Sequence, residues 1–435
     1  MEDFNESDYG HAVEFLMSIP RFTHEPALDT AALLLEMLGS PEKGRKIVHV
    51  AGTNGKGSVC AYIDSVLRVK GSRVGLFTSP HLVRMEERIR INGSNVSREQ
   101  FMEAFLAVHE CDGAIAKRIG RLTFFEYLFG MAMYCFGKAD TEYIVLETGL
   151  GGRLDATNAV TNPCVTVITP VSCDHMAVLG NTIKQITAEK AGIIKSHVPV
   201  VFWAENEEVR GVIEQTAERL CAPCFPVCKD DYEIFKNNNK SVDFCIHNRY
   251  YKNERFSAPF PAPYQAGNAM LAIQALGCLS ESDSQITYET VAEGIKNTRW
   301  QGRFEEVAPG IIVDGAHNED GIKSFLETAA AVGTEGRTIL LFMAMKDKDY
   351  HSMVRLLCTG MRFDEVIVTQ NGKERCLLAS ELKAEFERYT DKPVTAAEDF
   401  ESAFSKGRAM LKEGDRLYCV GSLYLVGAIL KEYGR

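Results

Sequence analysis

The chain has 435 residues, 46% of them hydrophobic and 25% charged, the composition of a globular protein too long for one ordinary core, so two domains are expected. Lys+Arg 48 against Asp+Glu 59 gives a formal charge of -11, which excludes the broad positive field of a non-specific nucleic-acid binder. Anionic substrates would need local basic patches.

The opening MEDFNESDYGHAVEFL has no basic segment ahead of an apolar one, and no apolar run nears the length of a membrane span. The 13 Cys stand singly through apparent strands and helices. A cytoplasmic protein with reduced thiols, no membrane contact and no nucleic-acid partner is expected. Continuous apolar runs then predict parallel strands at KIVHVAG (from Lys46), RVGLFTS (from Arg73), EYIVLETG (from Glu142), CVTVITPV (from Cys164) and PVVFW (from Pro199). Helical stretches such as Val59 to Lys70 and Thr182 to Ile194 lie between them, the βαβ rhythm of a doubly wound sheet.

Cys221, Cys224 and Cys228 form the tightest thiol cluster, with Cys245 or His247 available as a fourth ligand. Without a paired second CxxC, plain thiols are a better reading than zinc. From Asp230 to about Tyr264 the texture suggests a small antiparallel β excursion, followed by a helix from Asn268 to Leu279. NTRWQGR, Asn297 to Arg303, reads as a hinge. A second βα series follows in IIVDGAH (from Ile311), TILLFMAM (from Thr338), EVIVTQ (from Glu365) and RLYCVGS (from Arg416). The expected class is α/β: a doubly wound, mostly parallel sheet in a P-loop mononucleotide-binding domain, residues 1–297, plus a smaller Rossmann-like α/β domain, residues 298–435.

The sharpest local signal is HVAGTNGKGS, His49 to Ser58. A strand runs into Gly52, Thr53, Asn54, Gly55, Lys56, Gly57 and Ser58, and a helix is expected from near Val59. Glycines let the backbone wrap an anion, the helix N-terminus favours negative charge, Lys56 can reach β and γ phosphates, and Ser58 can reach Mg²⁺. The spacing departs from G-x-x-x-x-G-K-[ST], because Val50 stands where the first glycine would fall and Gly57 intervenes before Ser58. ATP is the expected ligand, with a GTPase, a kinase and a ligase all still open.

GTNGKGS, TSPHL (from Thr78), LTFFE (from Leu122), ETGLGGRLDATN (from Glu147), CDH (from Cys173), EKAGIIK (from Glu189), QGRFE (from Gln301), DGAHN (from Asp314) and VGSLYLVG (from Val420) occur in this order. The series resembles folylpolyglutamate synthase/dihydrofolate synthase, a branch of the Mur ligase superfamily, from about Ile19 to the C-terminus. That resemblance implies an ATP-dependent amide ligase that adds L-glutamate to a folate, and to dihydropteroate in bifunctional members, through an acyl phosphate. It implies two Mg²⁺, a carbamylated Lys190, a monovalent cation, and a monomer.

By the same resemblance Ser58, Ser79, Glu147, His175 and Lys190 are metal-side residues. Thr53 to Ser58, Asn268, Arg303 and Asp314 are ATP-side. Thr123, Phe124, Phe125, Glu126, Gly151, Gly152, Arg153 and Asp155 lie near the pterin-bearing substrate, and His317, Asn318 and Ser422 near glutamate and the transfer centre; Lys56, Lys190, Arg303 and His317 are the catalytic set. Asp29 is a weaker candidate. On residue chemistry alone a lone His favours a structural role at His175, since Mg²⁺ prefers oxygen. Arg303, just beyond the hinge, would reach phosphates only on domain closure. Gln301 replaces a common proline, and ERCLLASEL lacks the family's arginine-alanine pair. Three rivals remain: a ligase acting on a cell-wall precursor, a GTPase-type regulator for which MKDKD (from Met345) imitates N-K-x-D poorly, and an inactive relative, which the presence of Lys56, Ser58, Glu147, His175 and Lys190 argues against.

Overall fold

The computed structural model of the protein describes residues 8–20, 28–373 and 375–434; the MEDFNES opening, part of the segment from Ile19 and Glu374 of ERCLLASEL lie outside them. The apolar runs become strands β1 (Lys46–Ala51), β2 (Val74–Phe77), β3 (Ile89–Ile91), β4 (Ser94–Asn95), β5 (Tyr143–Glu147), β6 (Val165–Ile168), β7 (Val200–Trp203) and β8 (Cys224–Val227). They form one sheet in the order β4-β3-β2-β5-β1-β6-β7-β8. The pairings β2-β5, β5-β1, β1-β6, β6-β7 and β7-β8 are all parallel, while β3 and β4 add an antiparallel edge. Ile47 to Ala51 are all buried, as a strand covered on both faces requires.

The edge strands β3, β4 and β8 were not among the expected elements. With three, two and four residues they are too short to show a period. The β3-β4 turn is nonetheless an Asn92-Gly93 pair, both with positive φ (51° and 81°), the residue choice of a two-residue hairpin.

The expected excursion appears as β9 (Tyr232–Asn237), β10 (Val242–His247) and β11 (Lys252–Ala258), a three-stranded sheet in the order β11-β10-β9. The helix after it, Tyr264–Ser280, starts four residues ahead of the expected Asn268. Further on, β12 (Glu305–Ala308), β13 (Ile311–Val313), β14 (Thr338–Phe342), β15 (Glu365–Thr369), β16 (Val394–Ala397) and β17 (Arg416–Val420) make a second sheet, ordered β12-β13-β17-β14-β15-β16. It is parallel except for β12. Its core packs Phe325, Leu340, Phe342, Phe386 and Tyr418.

The chain divides into two compact units. One runs to Glu233 and takes back Ile246–Phe256 and Gly267–Thr298; the other holds Ile234–Cys245, Ser257–Ala266 and everything from Arg299. Compared with a single cut between 297 and 298, Ile234–Cys245 and Ser257–Ala266 fall in the second unit and Thr298 in the first. Among the described residues no helix is long and apolar enough to cross a membrane.

In the first unit, Asp283 closes the end of the sheet opposite the phosphate loop. Its Oδ2 accepts from Lys70 Nζ (2.7 Å), Tyr143 Oη (2.7 Å) and Lys46 Nζ (3.2 Å). Burial works against its charge, yet the hydrogen bonds from Lys70, Tyr143 and Lys46 outweigh it and hold the carboxyl well below the usual carboxylate range. A depressed pKa stabilises the fold above the unfolded value and loses that contribution as pH falls. Asp283→Asn should therefore cost about 3 kcal/mol at pH 7, because buried Lys70 keeps only the longer pair with Glu142 at 3.6 Å, and the difference from wild type should fade below pH ~4. Urea unfolding of both proteins across pH 3 to 8 checks this.

Candidate active site

The turn after β1 is tighter than a helix start at Val59 would make it. The helix begins at Lys56 and runs Lys56–Val69, with Gly55 as its N-cap at φ 90°. Lys56, Gly57 and Ser58 therefore form its first turn, where backbone N–H groups have no partner within the helix and an anion is favoured. Gly55 is required twice over: its φ is positive, and a Cβ there would lie 2.4 Å from Asn268 Oδ1. Asn268, buried on the helix Tyr264–Ser280, is thereby set against the loop itself. Thr53 and Asn54 behave differently. Both donate their N–H to Pro170 O (2.9 and 3.3 Å), and the Thr53 hydroxyl donates to Ser172 O (3.2 Å). They pin the loop to the segment after β6 instead of turning those N–H groups toward a ligand.

Two lysines converge on one carbonyl. Lys56 Nζ donates to Gly52 O and Thr53 O, each at 3.2 Å, and Lys190 Nζ donates to Gly52 O at 2.8 Å. Lys190 comes from the helix Ile183–Ala191, capped by the Thr182 side chain, and is 3% exposed. Burial first, and the Lys56 ammonium second, bring its pKa down to about 7, against an opposing pull from Asp174 and Asp155. A lysine so placed spends part of its time as a neutral amine at physiological pH. Asp174, which sequence reasoning passed over inside CDH, is thus part of the Lys190 environment. Only its neighbourhood with His175 signalled it.

Glu147 ends β5 beside Val50 of β1 and is buried. Its Oε2 accepts from Ser79 N at 3.0 Å. Burial raises the Cys60 thiol one turn into the Lys56–Val69 helix; the Glu147 carboxylate adds to that rise and Lys56 opposes it, so both charges flank the helix start. At the C-terminal ends of β5 and β6, the buried hydroxyls of Thr148 and Thr169 find no partner among the described residues. His175 is exposed and sits at the head of a four-residue helix with φ 52°. Among the described residues no group of three His, Cys, Asp or Glu stands ready for a metal.

The expected substrate loop carries its own internal bonds. Arg153 is forked onto Glu189 Oε1 through Nε (3.1 Å) and Nη2 (2.9 Å), so the carboxylate it neutralises belongs to the protein. Asp155 is buried and accepts from Gly149 N and Leu150 N (both 2.9 Å), and from Thr157 N and Oγ1 (3.1 and 2.5 Å). It shapes the loop from inside. A Cβ on Gly152 would meet the carbonyls of Glu189 and Lys190 at 2.8 Å, so the loop lies directly on the backbone of the Lys190 helix. Thr123 and Glu126 form a capping box on the helix Phe124–Lys138: Thr123 N and Oγ1 each donate to Glu126 Oε2 at 2.7 Å, and Thr30 donates to its other oxygen. Phe125 faces Gly149 and Phe77, while the Arg88 guanidinium lies over Phe124 at 5.5 Å. Asp29 is exposed at the start of the helix Asp29–Met37.

In the second unit, Asp314 follows β13 and is buried, its oxygens accepting from Phe304 N (2.8 Å) and Ala316 N (2.7 Å). Burial raises its pKa and the Arg303 guanidinium works against that rise. Arg303 Nη1 donates to Gly302 O (3.0 Å), and His317 Nδ1 lies 2.7 Å from Gly315 O. Asn318 and Ser422 cap the helices Glu319–Val332 and Leu423–Glu432, accepting from Gly321 N (2.8 Å) and Tyr424 N (3.2 Å).

Residues 50–276 match the Mur ligase middle domain, and residues 302–423 the Mur ligase glutamate ligase domain. The dihydrofolate synthase/folylpolyglutamate synthase of Bacillus subtilis is 37% identical over 348 residues, covering 78% of this chain and 80% of the relative. A probable dihydrofolate synthetase of Schizosaccharomyces pombe is 33% identical over 413 residues, covering 90% and 95%. Among solved structures, E. coli FolC in complex with DHPP and ADP superposes with a TM-score of 0.86 at 26% identity, over 99% of both chains. The folylpolyglutamate synthase of Mycobacterium tuberculosis complexed with ADP gives 0.86 at 28%, again over 99% of both.

Gly55→Ala should weaken ADP binding about five- to a hundred-and-fiftyfold, the ~1–3 kcal/mol of a non-glycine residue forced to positive φ. Isothermal titration of the two proteins with ADP reads this directly, and thermal melting shows that the fold survives.

Proposed function

The chain belongs to the folylpolyglutamate synthase/dihydrofolate synthase family of the Mur ligases, and we propose that it uses ATP to join L-glutamate to folates, and to dihydropteroate as well. The observation that carries the reading is the paired approach of Lys56 and Lys190 to the Gly52 carbonyl at a helix N-terminus. Lys56 and the helix N-terminus make a positive site in a chain of charge -11, suited to a polyphosphate, with the less basic Lys190 beside it.

An amide does not form from a bare carboxylate and an amine in water at neutral pH, because hydroxide or oxide is a poor leaving group. Transfer of the ATP γ-phosphoryl to the acceptor carboxylate gives an acyl phosphate and ADP. The glutamate amine then attacks the carbonyl carbon, loses a proton, and phosphate departs. The protein's part is placement and charge neutralisation. Lys56 and the first-turn N–H groups of Lys56–Val69 hold the phosphates. Asn268 buttresses Gly55 from below. In the second unit we assign Arg303 and Asp314 to the nucleotide, and His317, Asn318 and Ser422 to the glutamate side.

Mg²⁺ fits the donors present: the Glu147 carboxylate, the Ser58 and Ser79 hydroxyls, and the two buried, partnerless hydroxyls of Thr148 and Thr169 nearby. When bound it supplies neutralisation of phosphate charge. His175 is the poorer match to a hard cation. Lys190 fits carbamylation, since CO₂ adds only to a neutral amine, and burial lowers the pKa of this amine to about 7. The amine loses its proton as it attacks, and the resulting carbamate presents oxygen where an ammonium stood.

The purified protein should incorporate labelled glutamate with MgATP into both dihydropteroate and a reduced folate. Incorporation into neither, with ADP binding intact, sinks the folate assignment. Lys190→Ala should lower kcat by about a hundredfold or more, on the scale of losing one preorganised charged group. With ¹³C-bicarbonate, a carbamate resonance should appear in wild type, strengthen from pH 6 to 8 as the amine deprotonates, and be missing from Lys190→Ala.

A further inference from the structure

His49 is a fully buried ionisable residue on β1 to which the reaction above gives no task. Its Nε2 lies 2.8 Å from Thr157 Oγ1, and Thr157 Oγ1 lies 2.5 Å from Asp155 Oδ1. Burial raises the Asp155 pKa, and the four donors it gathers work against that rise by favouring the ionised form, which only accepts. With Asp155 ionised, the single proton of the Thr157 hydroxyl goes to Asp155, and the bond from His49 is donated by its Nε2–H. Its Nδ1 has no partner among the described residues, and burial, with the Lys195 ammonium second, brings the ring's pKa down to about 3, so it stays neutral.

Donation runs one way along this chain, from His49 to Thr157 to Asp155, and ends on the loop. Asp155 Oδ2 holds the amides of Gly149 and Leu150. Beyond them the loop is fastened to the Lys190 helix: Arg153 N donates to Glu189 O at 2.7 Å, and Asn158 Nδ2 donates to both Arg153 O (3.0 Å) and Gly192 O (3.1 Å). Lys190 itself donates to Gly52 O, three residues after His49 on the same stretch of chain. The bonds thus close a circuit from β1 through the loop to Lys190 and back to β1. A purely apolar core position would not specify a tautomer, nor pass a hydrogen bond to a buried carboxylate.

We propose that His49, acting through Thr157, is a positioning residue of the ligase reaction: it holds Asp155 so that the Gly149–Gly152 loop and Lys190 keep their register. The inference rests on the reaction proposed above, and its test separates the two. His49→Gln, whose amide nitrogen reaches the Nε2 position, His49→Leu and Thr157→Val are compared with wild type in the full chain. Two measurements are made: steady-state kinetics with a reduced folate, and deuterium uptake of the peptide spanning Gly149 to Gly152. His49→Leu and Thr157→Val should raise the folate KM by about tenfold or more, the usual cost of losing a supporting hydrogen bond, and speed exchange of the loop amides. ADP affinity should stay within about twofold. His49→Gln should recover most of both losses. Equal damage in Gln and Leu, or a Thr157→Val protein with wild-type KM and exchange, overturns the proposal. Deuterium uptake needs no turnover, so a wild type that fails to ligate glutamate defeats the reaction while the uptake data still judge the relay.

Discussion

Lys56 and Lys190 both donate to the Gly52 carbonyl, and much of the first unit is arranged around that shared contact. A carbonyl oxygen has two lone pairs, so it can satisfy both ammonium groups geometrically, but it cannot cancel their mutual repulsion. The helix N-terminus at Lys56 adds positive potential of the same sign. Without an anion the arrangement is costly, and part of that cost is met by letting Lys190 lose its proton near pH 7. An entering polyphosphate meets the Lys56 ammonium and the helix N-terminus whichever form Lys190 takes. The net acidity of the whole chain has little to do with this, because a pair in contact outweighs charges scattered beyond a Debye length.

The contact is possible because of where β1 lies. In the order β2-β5-β1-β6-β7-β8 the chain leaves β1 in one direction toward β2 and later returns on the other side with β6, so the loop after β1 opens at the point where the winding reverses. Register does the rest. Val50 is level with Glu147, and Ala51 with Ile168, which brings a carboxylate from one neighbour and the Thr169 hydroxyl from the other to the same edge. None of these three strands needs a special residue to reach its place; each needs only to be apolar for four to six residues and then stop.

Sequence therefore told most about what depends on local pattern. The parallel strands were visible as unbroken apolar runs, and the phosphate loop as glycines and a lysine in strand-to-helix order. What escaped was short or non-local. The strands β3, β4, β8, β12 and β16 have two to four residues, and only the Asn92-Gly93 pair advertised one of their turns. The start of the helix at Lys56 instead of Val59 depends on Gly55 holding φ 90° against Asn268, more than 200 residues away in the chain. His49, Thr157 and Asp155 likewise find each other across about a hundred residues, with no spacing rule to announce it. Resemblance sets Arg153 near the pterin-bearing substrate, and its guanidinium is forked onto Glu189, a residue of a different motif, which no local pattern announces.

A subtler ambiguity attaches to Glu126, Asn318 and Ser422. Resemblance put all three beside substrates, and in the structure all three cap helices. The two roles draw on one cause. A helix N-terminus gathers unsatisfied N–H groups and a partial positive charge, so it calls for an oxygen at its first turn, whether from a serine, an asparagine, a carboxylate of the chain or the carboxylate of a ligand. A motif that places such an oxygen there has the same spelling in either case. Burial separates them only in part: Glu126 also accepts from Thr30, so neither of its oxygens lacks a donor from the chain. By contrast Ser422 meets one backbone N–H through its single oxygen, which leaves a hydroxyl proton with capacity beyond the cap. Ser422 can thus cap a helix and meet a substrate at once, while Glu126 acts by fixing the helix that carries Phe124 and Phe125.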